Sequence, residues 1–438
     1  MTPGLTAKSA TYLREQASIL EQLTPFEIAE RIAGLVRRHD HWRQTQCLNM
    51  VAAENVISRG ARRLLDSDLA TRLTEGMPGD KESPPPPQNI HIDQIEAAIV
   101  ALAQRLFRGR YVEWRAVSTT MVNAIAFFAL TKPGDAILVQ SMDGGANMNY
   151  HARAIPKLRG LEVYDMPARE EFELDLDRVR TVARQVRPAM LVVGGSYVLF
   201  PYPVAELREI ANEVGARLFY DAAHVGLLVT AGRFQDPLAE GADLLSVSTH
   251  KIMGGPVGGL LVTNDEEAAH EILALTYPAF IQTRDENRYA ATAYAFAEML
   301  EFGSEYAAQM VKNARALAAS LDEEGFIVLG KARGFTMTHQ VFLDLRETGA
   351  ARFEAACQAC NILVHTAHLL GDPSREKRTG IRFTVQELTR LGMRESEMRQ
   401  VARFVRRAVV AADAPARVSA EIEEFLRGFR KIRFSFDP

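Results

Sequence analysis

The sequence has few cysteines, no excess of basic residues and no long apolar run. Its three cysteines, Cys47, Cys357 and Cys360, are too few for a disulfide framework. The 51 Lys and Arg residues are balanced by 55 Asp and Glu residues, which does not favour a nucleic-acid-binding face. Apolar stretches such as 189–195 are too short to span a bilayer, and residues 1–9 lack the pattern of an export signal. We therefore expect a cytoplasmic protein with neither a nucleic-acid nor a membrane partner.

The order of helical and strand-like patterns predicts an α/β fold. A chain of 438 residues is long enough to bury more than one core. Helical stretches lie between many of the strand candidates, which favours a mostly parallel sheet covered by helices. The strand candidates of this sheet are 136–140, 161–166, 189–193, 217–221, 244–248 and 259–262. The proline run at 83–88 predicts an exposed, extended loop, because proline removes hydrogen-bond donors and restricts its neighbour.

Three regions are predicted from these patterns. Residues 1–45 form an N-terminal helical arm, 46–300 a large domain, and 301–438 a smaller α+β domain. Within the last region, 336–345 and 381–384 are strand candidates and 395–410 is a helix candidate. Cys357 and Cys360, together with His365 and His368, could suggest a metal site, but both cysteines fit one buried helix face. We therefore predict no metal.

The segment around Lys251 is the most specific chemical signal in the chain. Ser246 to Ser248 end a strand candidate, Thr249-His250-Lys251 follow, and a glycine-rich turn extends to Gly259. Glycine lets backbone approach a ligand closely, and a lysine that becomes neutral can form a Schiff base with a carbonyl cofactor. A surface lysine before a tight turn is the alternative, and only the surrounding motifs decide against it.

Asp221 and His224 supply that context. The apolar run 217–220 ends in Asp221, which places a carboxylate at the edge of the sheet where open α/β folds bind ligands. Such a carboxylate can keep a pyridine nitrogen protonated, which makes the ring an electron sink. His224 follows three residues later and is placed to reach the same ring. The alternative is an ordinary aspartate that caps the next helix.

A third element is Ser118-Thr119-Thr120, which opens a helix near Met121. Hydroxyl groups and free backbone N–H groups at a helix N-terminus form an anion site suited to a phosphate. Such caps are common, so this signal is weak when it stands alone. Phosphate site, ring carboxylate and lysine nevertheless follow one another in the order that a pyridoxal 5'-phosphate (PLP) site requires.

The chain resembles the serine hydroxymethyltransferase family of PLP enzymes of fold type I, from about residue 48 to 403. The resemblance is carried by Ala52-Ala53-Glu54-Asn55, Thr74-Glu75-Gly76-Met77-Pro78-Gly79, Asp143-Gly144-Gly145, Asp221-Ala222-Ala223-His224, Thr249-His250-Lys251, Gly255-Pro256 and Gly380-Ile381-Arg382. It implies a PLP cofactor and a homodimer with active sites at the interface.

The resemblance also implies a role for each site residue. Lys251 carries the cofactor as a Schiff base, and Asp221 pairs with the pyridine nitrogen. Arg382 grips the carboxylate of an amino-acid substrate as a bidentate fork, which a lysine cannot reproduce. Glu75 handles protons at the substrate hydroxyl. The remaining cofactor contacts come from Ser118, Thr119, Thr120, Thr249, Ser196 and His224, the last two near the phenolic oxygen.

Several positions depart from the family pattern. Ala146 stands where the family has a histidine stacked on the cofactor, and Leu73 where it has a tyrosine. Ser83 and Pro84 replace the paired tyrosines that help to hold folate. The electron-sink residues are therefore intact, whereas the folate contacts are not.

The chain also resembles the threonine transaldolases, a natural-product branch of the same family, in 305–309, 334–340 and 388–393. We therefore expect a folate-independent threonine aldolase or transaldolase that acts on threonine, serine or glycine together with an aldehyde. The alternatives are a tetrahydrofolate-dependent serine hydroxymethyltransferase, another PLP reaction such as racemisation or transamination, and a non-catalytic binding protein. Intact Lys251, Asp221 and Arg382 argue against the last.

Overall fold

The computed structural model describes residues 4–84, 87–372, 377–411 and 413–438. The strands of these residues are β1 (Leu48–Asn49), β2 (Glu75–Met77), β3 (Asp80–Ser83), β4 (Tyr111–Glu113), β5 (Ala136–Gln140), β6 (Glu162–Met166), β7 (Ala168–Glu170), β8 (Glu173–Leu174), β9 (Met190–Gly194), β10 (Arg217–Asp221), β11 (Leu244–Ser248), β12 (Gly259–Thr263), β13 (Gln340–Asp344), β14 (Ile362–Leu363), β15 (His365–Ala367) and β16 (Gly380–Thr384).

The α-helices of the same residues are α1 (Ala7–Leu20), α2 (Pro25–Thr45), α3 (Arg59–Leu65), α4 (Ile90–Phe107), α5 (Thr119–Leu130), α6 (Ile155–Arg159), α7 (Leu176–Val186), α8 (Val204–Val214), α9 (Gly226–Thr230), α10 (Glu266–Leu275), α11 (Glu286–Glu323), α12 (Ala350–Ala359), α13 (Gln386–Arg390), α14 (Glu395–Val409) and α15 (Pro415–Leu426). Within this described part of the chain, no helix is both long enough and apolar enough to cross a bilayer.

A seven-stranded sheet forms the centre of the large domain, in the order β4-β12-β11-β10-β9-β5-β6. The strands from β11 to β6 run parallel, whereas β12 is antiparallel to both of its neighbours, β11 and β4. Every residue of β9 and β11 is buried, as expected for a sheet that helices cover on both faces. The predicted α/β fold with a mostly parallel sheet is confirmed.

A second, antiparallel sheet has the order β13-β16-β15, and it carries Arg382 on its central strand. The prediction of a smaller α+β unit after the large sheet is confirmed. Helix α11 spans Glu286–Glu323, so the predicted boundary after residue 300 lies inside a helix, and the exact division into domains stays a prediction.

Strand β13 is shorter than the predicted strand 336–345. The side chains of Thr336 and Thr338 bond to each other, and Thr338 Oγ1 donates to the Val198 carbonyl at 2.6 Å. These side-chain bonds compete with a regular strand, so the ladder begins only at Gln340. In the predicted loop 83–88, Ser83 is the last residue of β3, and residues 85 and 86 lie outside the described residues.

Helices α1 and α2 pack loosely against the rest of the described chain, because neither contains a buried residue. Apolar side chains are therefore exposed to solvent on both helices: Leu13 is 53% exposed, Phe26 75% and Ile32 56%. Helix α2 begins with a capping box in which Thr24 and Glu27 bond reciprocally, so the helix has a defined start despite its exposure.

Candidate active site

Lys251 lies just beyond the carboxyl end of β11, in a turn that backbone hydrogen bonds close. The Gly255 amide donates to the Thr249 carbonyl at 2.8 Å, and Thr249 Oγ1 donates to the Pro256 carbonyl at 2.6 Å. Lys251 is buried, and its Nζ lies 3.2 Å from His224 Nε2. Burial lowers the pKa of Lys251 to about 8 against the opposing effect of Asp221. The amine therefore reaches its neutral, nucleophilic form near physiological pH.

Asp221 ends β10, the strand that pairs with β11 in parallel register. Its side chain is buried and accepts two hydrogen bonds, from the Ala223 amide at 2.8 Å and from the Tyr150 hydroxyl at 2.6 Å. Gly194 of β9 lies so close that a Cβ there would come within 2.4 Å of the Asp221 carbonyl oxygen. The structure thus brings the predicted carboxylate and the predicted lysine to the same sheet edge, and it fixes the carboxylate at both oxygens.

Two buried histidines lie beside Lys251. The rings of His224 and His339 are parallel within 12°, with centroids 6.5 Å apart. Burial, and then the charge of Lys251, hold the pKa of His224 well below its usual value, and burial lowers the pKa of His339 to about 3. Both rings are therefore neutral at physiological pH. Among the described residues, His224 Nδ1 and both ring nitrogens of His339 have no hydrogen-bond partner.

The N-terminus of α5 meets the end of β11. Ser118 is the N-cap of α5, and its Oγ accepts from the Met121 amide at 3.2 Å. The hydroxyls of Thr119 and Ser248 hydrogen bond to each other, and Thr120 Oγ1 accepts from Asn149 Nδ2 at 3.0 Å. Helix N-terminus, hydroxyl groups and the Lys251 strand are therefore adjacent, which is the arrangement that a phosphate site needs.

Arg382 approaches from the second sheet. Its Nη1 donates to the Ser196 carbonyl at 2.6 Å, and its guanidinium lies 5.0 Å from the centre of the Tyr197 ring. Burial lowers the pKa of Arg382 from its ordinary value, although the group stays charged. The hydroxyl of Ser196 accepts from Asn147 Nδ2 at 3.4 Å. Arg382 and Ser196 thus lie together on the side of the site that the second sheet supplies.

Glu75 lies apart from this group. It begins β2, in the hairpin β2–β3, and its Oε1 accepts from Gln282 Nε2 at 3.2 Å. Within the described part of the chain, no hydrogen bond joins Glu75 to Lys251, Asp221 or His224. The hydrogen bond of Glu75 goes to Gln282 on another loop, whereas Lys251 and His224 contact each other directly at the sheet edge.

A buried ionic cluster anchors the hairpin that carries Glu75. Lys81 of β3 forms an ion pair with Glu96 of α4, and Arg284 Nη1 lies 2.9 Å from the other oxygen of Glu96. Arg284 also donates to the Gly76 carbonyl at 2.6 Å. The side chains of Lys81, Glu96 and Arg284 are fully buried. The cluster therefore fixes the hairpin against α4.

Tyr150 was not singled out from the sequence, and His339 was noted only as part of the segment 334–340. Each side chain reaches the site from a segment distant in sequence. The buried histidine nitrogens without a partner, the lysine with a lowered pKa, the doubly held carboxylate and the helix N-terminus fit a ligand with an aldehyde, a basic ring nitrogen and a phosphate. PLP has all three.

Comparisons with known proteins agree with this fit. The family model described as serine hydroxymethyltransferase matches residues 27–405. Serine hydroxymethyltransferase from Thermococcus kodakarensis is 37% identical over 421 residues, which cover 94% of this chain and 96% of the relative. The enzyme of the same name from Methanosphaera stadtmanae is 36% identical and covers 95% and 97%.

Among solved structures, L-threonine transaldolase from Pseudomonas fluorescens, in its internal aldimine state, superposes with a TM-score of 0.87. It is 25% identical, and the match covers 98% of this chain and 96% of the transaldolase. The fold is thus shared over nearly the full length of both chains.

Proposed function

The chain belongs to the serine hydroxymethyltransferase family, and from that premise we propose that it cleaves and forms the Cα–Cβ bond of β-hydroxy amino acids without folate. It is a PLP-dependent transferase of this family, and PLP, when bound, supplies an electron sink for the carbanion left at Cα. The finer proposal is a threonine aldolase, which releases acetaldehyde and leaves glycine, or a threonine transaldolase, in which a second aldehyde then takes the place of acetaldehyde.

Three residues of the chain bind different parts of the substrate and the cofactor. Arg382 binds the substrate carboxylate, and its anchor on the Ser196 carbonyl orients the guanidinium. Lys251 would hold the cofactor as a Schiff base, and its lowered pKa favours the neutral amine that this bond requires. Asp221 would pair with the ring nitrogen and favour its protonated form.

The proton of the substrate hydroxyl has two candidate acceptors. His224 lies beside Lys251, but its strongly lowered pKa makes it a weak base. The carboxylate of Glu75 is the other candidate, and it lies on a separate hairpin. We therefore propose a homodimer in which the hairpin of one protomer supplies Glu75 to the Lys251 site of its partner. The exposed apolar side chains of α1 and α2 support such an interface.

Mixing two inactive variants tests the shared site. Glu75→Gln and Lys251→Ala are each expected to be inactive alone. After co-refolding, about a quarter of all sites combine an intact Glu75 with an intact Lys251 of the other protomer, if protomers pair at random. Recovered activity near that fraction supports the shared site, and no recovery in a mixture that contains heterodimers contradicts it.

The replacement of the residues that contact folate in the family favours an aldehyde over folate as the second substrate. Ser83 and Pro84, at the end of β3, offer no aromatic phenol, and proline has no N–H donor. Leu73, just before β2, is 45% exposed and apolar. A folate-independent reaction is therefore favoured, and the likeness to a protein named L-threonine transaldolase supports a reaction with an aldehyde.

The deciding experiment compares two reactions of the purified enzyme. Incubation with L-threonine and a panel of aldehydes, with product masses recorded, is expected to give acetaldehyde and new β-hydroxy amino acids. Tetrahydrofolate is expected not to accelerate serine cleavage. Saturable acceleration by tetrahydrofolate would instead establish the serine hydroxymethyltransferase reaction, the second candidate, which the names of the relatives favour.

A further inference from the structure

We propose that Tyr150 is a positioning residue that keeps the Asp221 carboxylate ionised, so that the shared proton stays on the ring nitrogen of bound PLP. This inference rests on the role of Asp221 in the proposed function. Tyr150 lies outside every motif that the sequence singled out, and it touches neither Lys251 nor Arg382 through a hydrogen bond in the described residues.

The geometry of Tyr150 leaves little freedom to its hydroxyl. Tyr150 ends a short 3-10 helix, Met148–Tyr150, that follows the Gly144-Gly145 pair, and it is 1% exposed. Phe127 and Phe219 pack edge-on against its ring, with centroids 5.9 and 6.3 Å away. The hydroxyl is thereby held 2.6 Å from Asp221 Oδ2. The Ala223 amide binds the other oxygen, so both carboxylate oxygens carry a donor before any ligand binds.

The phenol acts as a donor at all ordinary pH values. Burial, followed by the negative charge of Asp221, raises the pKa of Tyr150 well above its usual value. A protonated phenol beside a carboxylate donates to it, and hydrogen bonds to an ionised acceptor are about twice as strong as neutral ones.

The hydrogen bond from Tyr150 affects whether the ring nitrogen of PLP or Asp221 carries the proton that they share. In the pair formed by a pyridine nitrogen and a carboxylic acid, the proton resides either on nitrogen, with the acid ionised, or on oxygen, with both groups neutral. Low-dielectric surroundings favour the neutral arrangement, because they penalise charge. A hydroxyl that donates to Asp221 Oδ2 stabilises the anion and opposes this penalty. Only the arrangement with the proton on nitrogen gives a full electron sink.

The test uses the holoenzyme reconstituted with PLP labelled with ¹⁵N in its ring. Tyr150→Phe removes the hydroxyl and keeps the ring that Phe127 and Phe219 contact. The ratio of proton on nitrogen to proton on oxygen is expected to fall at least about tenfold, the factor that corresponds to one hydrogen bond to a charged group. The ¹⁵N chemical shift, which averages over the two positions, reports this ratio without any measurement of activity.

Tyr289→Phe is the matched control. Tyr289 is equally buried, and its hydroxyl donates to the Arg115 carbonyl at 3.4 Å instead of to Asp221. The control is expected to leave the ¹⁵N shift unchanged. Incorporation of 3-fluorotyrosine at position 150, which strengthens the donor, is expected to move the shift opposite to Tyr150→Phe and keeps the test valid should the phenylalanine variant fold poorly.

The outcomes separate this inference from the proposed function. A protonated nitrogen in the unaltered enzyme, together with a Tyr150→Phe shift equal to that of the control, overturns the role of Tyr150 alone. An unprotonated nitrogen in the unaltered enzyme overturns the role of Asp221 and the inference with it. A shift toward the unprotonated value confined to Tyr150→Phe supports both.

Discussion

Gly254 lies in the turn after Lys251, where the structure allows no side chain. Its φ is +65°, and its amide donates to the Lys251 carbonyl at 3.1 Å. A Cβ at this position would fall 1.7 Å from Nη1 of Arg390. Arg390 cannot simply swing away, because its side chain is fully buried and its Nη2 lies 2.8 Å from an equally buried Glu298 oxygen. Gly254→Ala therefore perturbs the lysine turn through a contact that only the fold creates.

The destabilisation expected for Gly254→Ala has two contributions, one from the backbone conformation and one from the contact with Arg390. An L-residue in the left-handed region costs roughly 1–2 kcal/mol. If Arg390 adjusts in place, overpacking adds about 1–3 kcal/mol, and if it leaves Glu298, the uncompensated buried charge adds about 3–5 kcal/mol. If the turn shifts instead, Lys251 moves with it. A loss of about 1.4 kcal/mol in the free energy of PLP binding then weakens that binding tenfold.

Gly232→Ala isolates the backbone part. Gly232 has nearly the same φ, +61°, and a Cβ there meets no atom within 4 Å. Urea unfolding and the dissociation constant of PLP, from absorbance titration of the cofactor-free protein, are measured for both variants. We expect Gly254→Ala to lose at least about 1 kcal/mol more than Gly232→Ala, in stability or in PLP binding. Two variants that are equal by both measures would refute the contact with Arg390.

Three further substitutions, the last with a matched control, test the site and the hairpin. Lys251→Ala is expected to abolish covalent attachment of PLP, and a borohydride-reducible bond that persists in mass spectra would place the cofactor on another lysine. Arg382→Lys is expected to weaken glycine binding far more than PLP binding, because the planar fork is lost; unchanged glycine affinity by titration would place the carboxylate elsewhere. Glu96→Gln leaves Lys81 and Arg284 without their shared carboxylate, and it is expected to lower the free energy of unfolding in urea by about 3–5 kcal/mol. The control is Glu82→Gln at an exposed position of the same hairpin, which is expected to change the free energy of unfolding by no more than about 0.5 kcal/mol. Equal losses for the two variants would contradict the buried cluster.

Sequence patterns predicted the central strands of the large sheet well because β5, β9 and β12 are short, mostly apolar runs. The predicted bounds of β5, β10 and β11 agree with the structure residue for residue. A strand buried on both faces must be apolar throughout, so its pattern is independent of what it packs against. The chemistry at the ends of these strands, Asp221 and Lys251, was predictable for the same reason.

The hairpin β2–β3 and the contact of Tyr150 could not be predicted in this way. The hairpin strands contain Glu75, Asp80, Lys81 and Glu82, which argue against a strand when read alone. Lys81 and Arg284 share Glu96, across separations of 15 and 188 residues, and this contact holds the hairpin against α4. Tyr150 and Asp221 are 71 residues apart. Such contacts depend on the folded arrangement of distant segments and leave no periodic signal.

Burial first, and the cations of the site second, keep its histidines neutral. Lys251 and Arg382 both oppose protonation of His224, which burial already disfavours. Asp221 is the carboxylate that favours the charged form of Lys251, and Arg382 opposes it. A pocket with two cations and one carboxylate is completed by anions, and a phosphate at the N-terminus of α5 and a substrate carboxylate at Arg382 supply them. Anions near His224 stabilise the protonated form of its ring. Ligand binding is therefore expected to raise the pKa of His224, which would make it a stronger base once the substrate is in place.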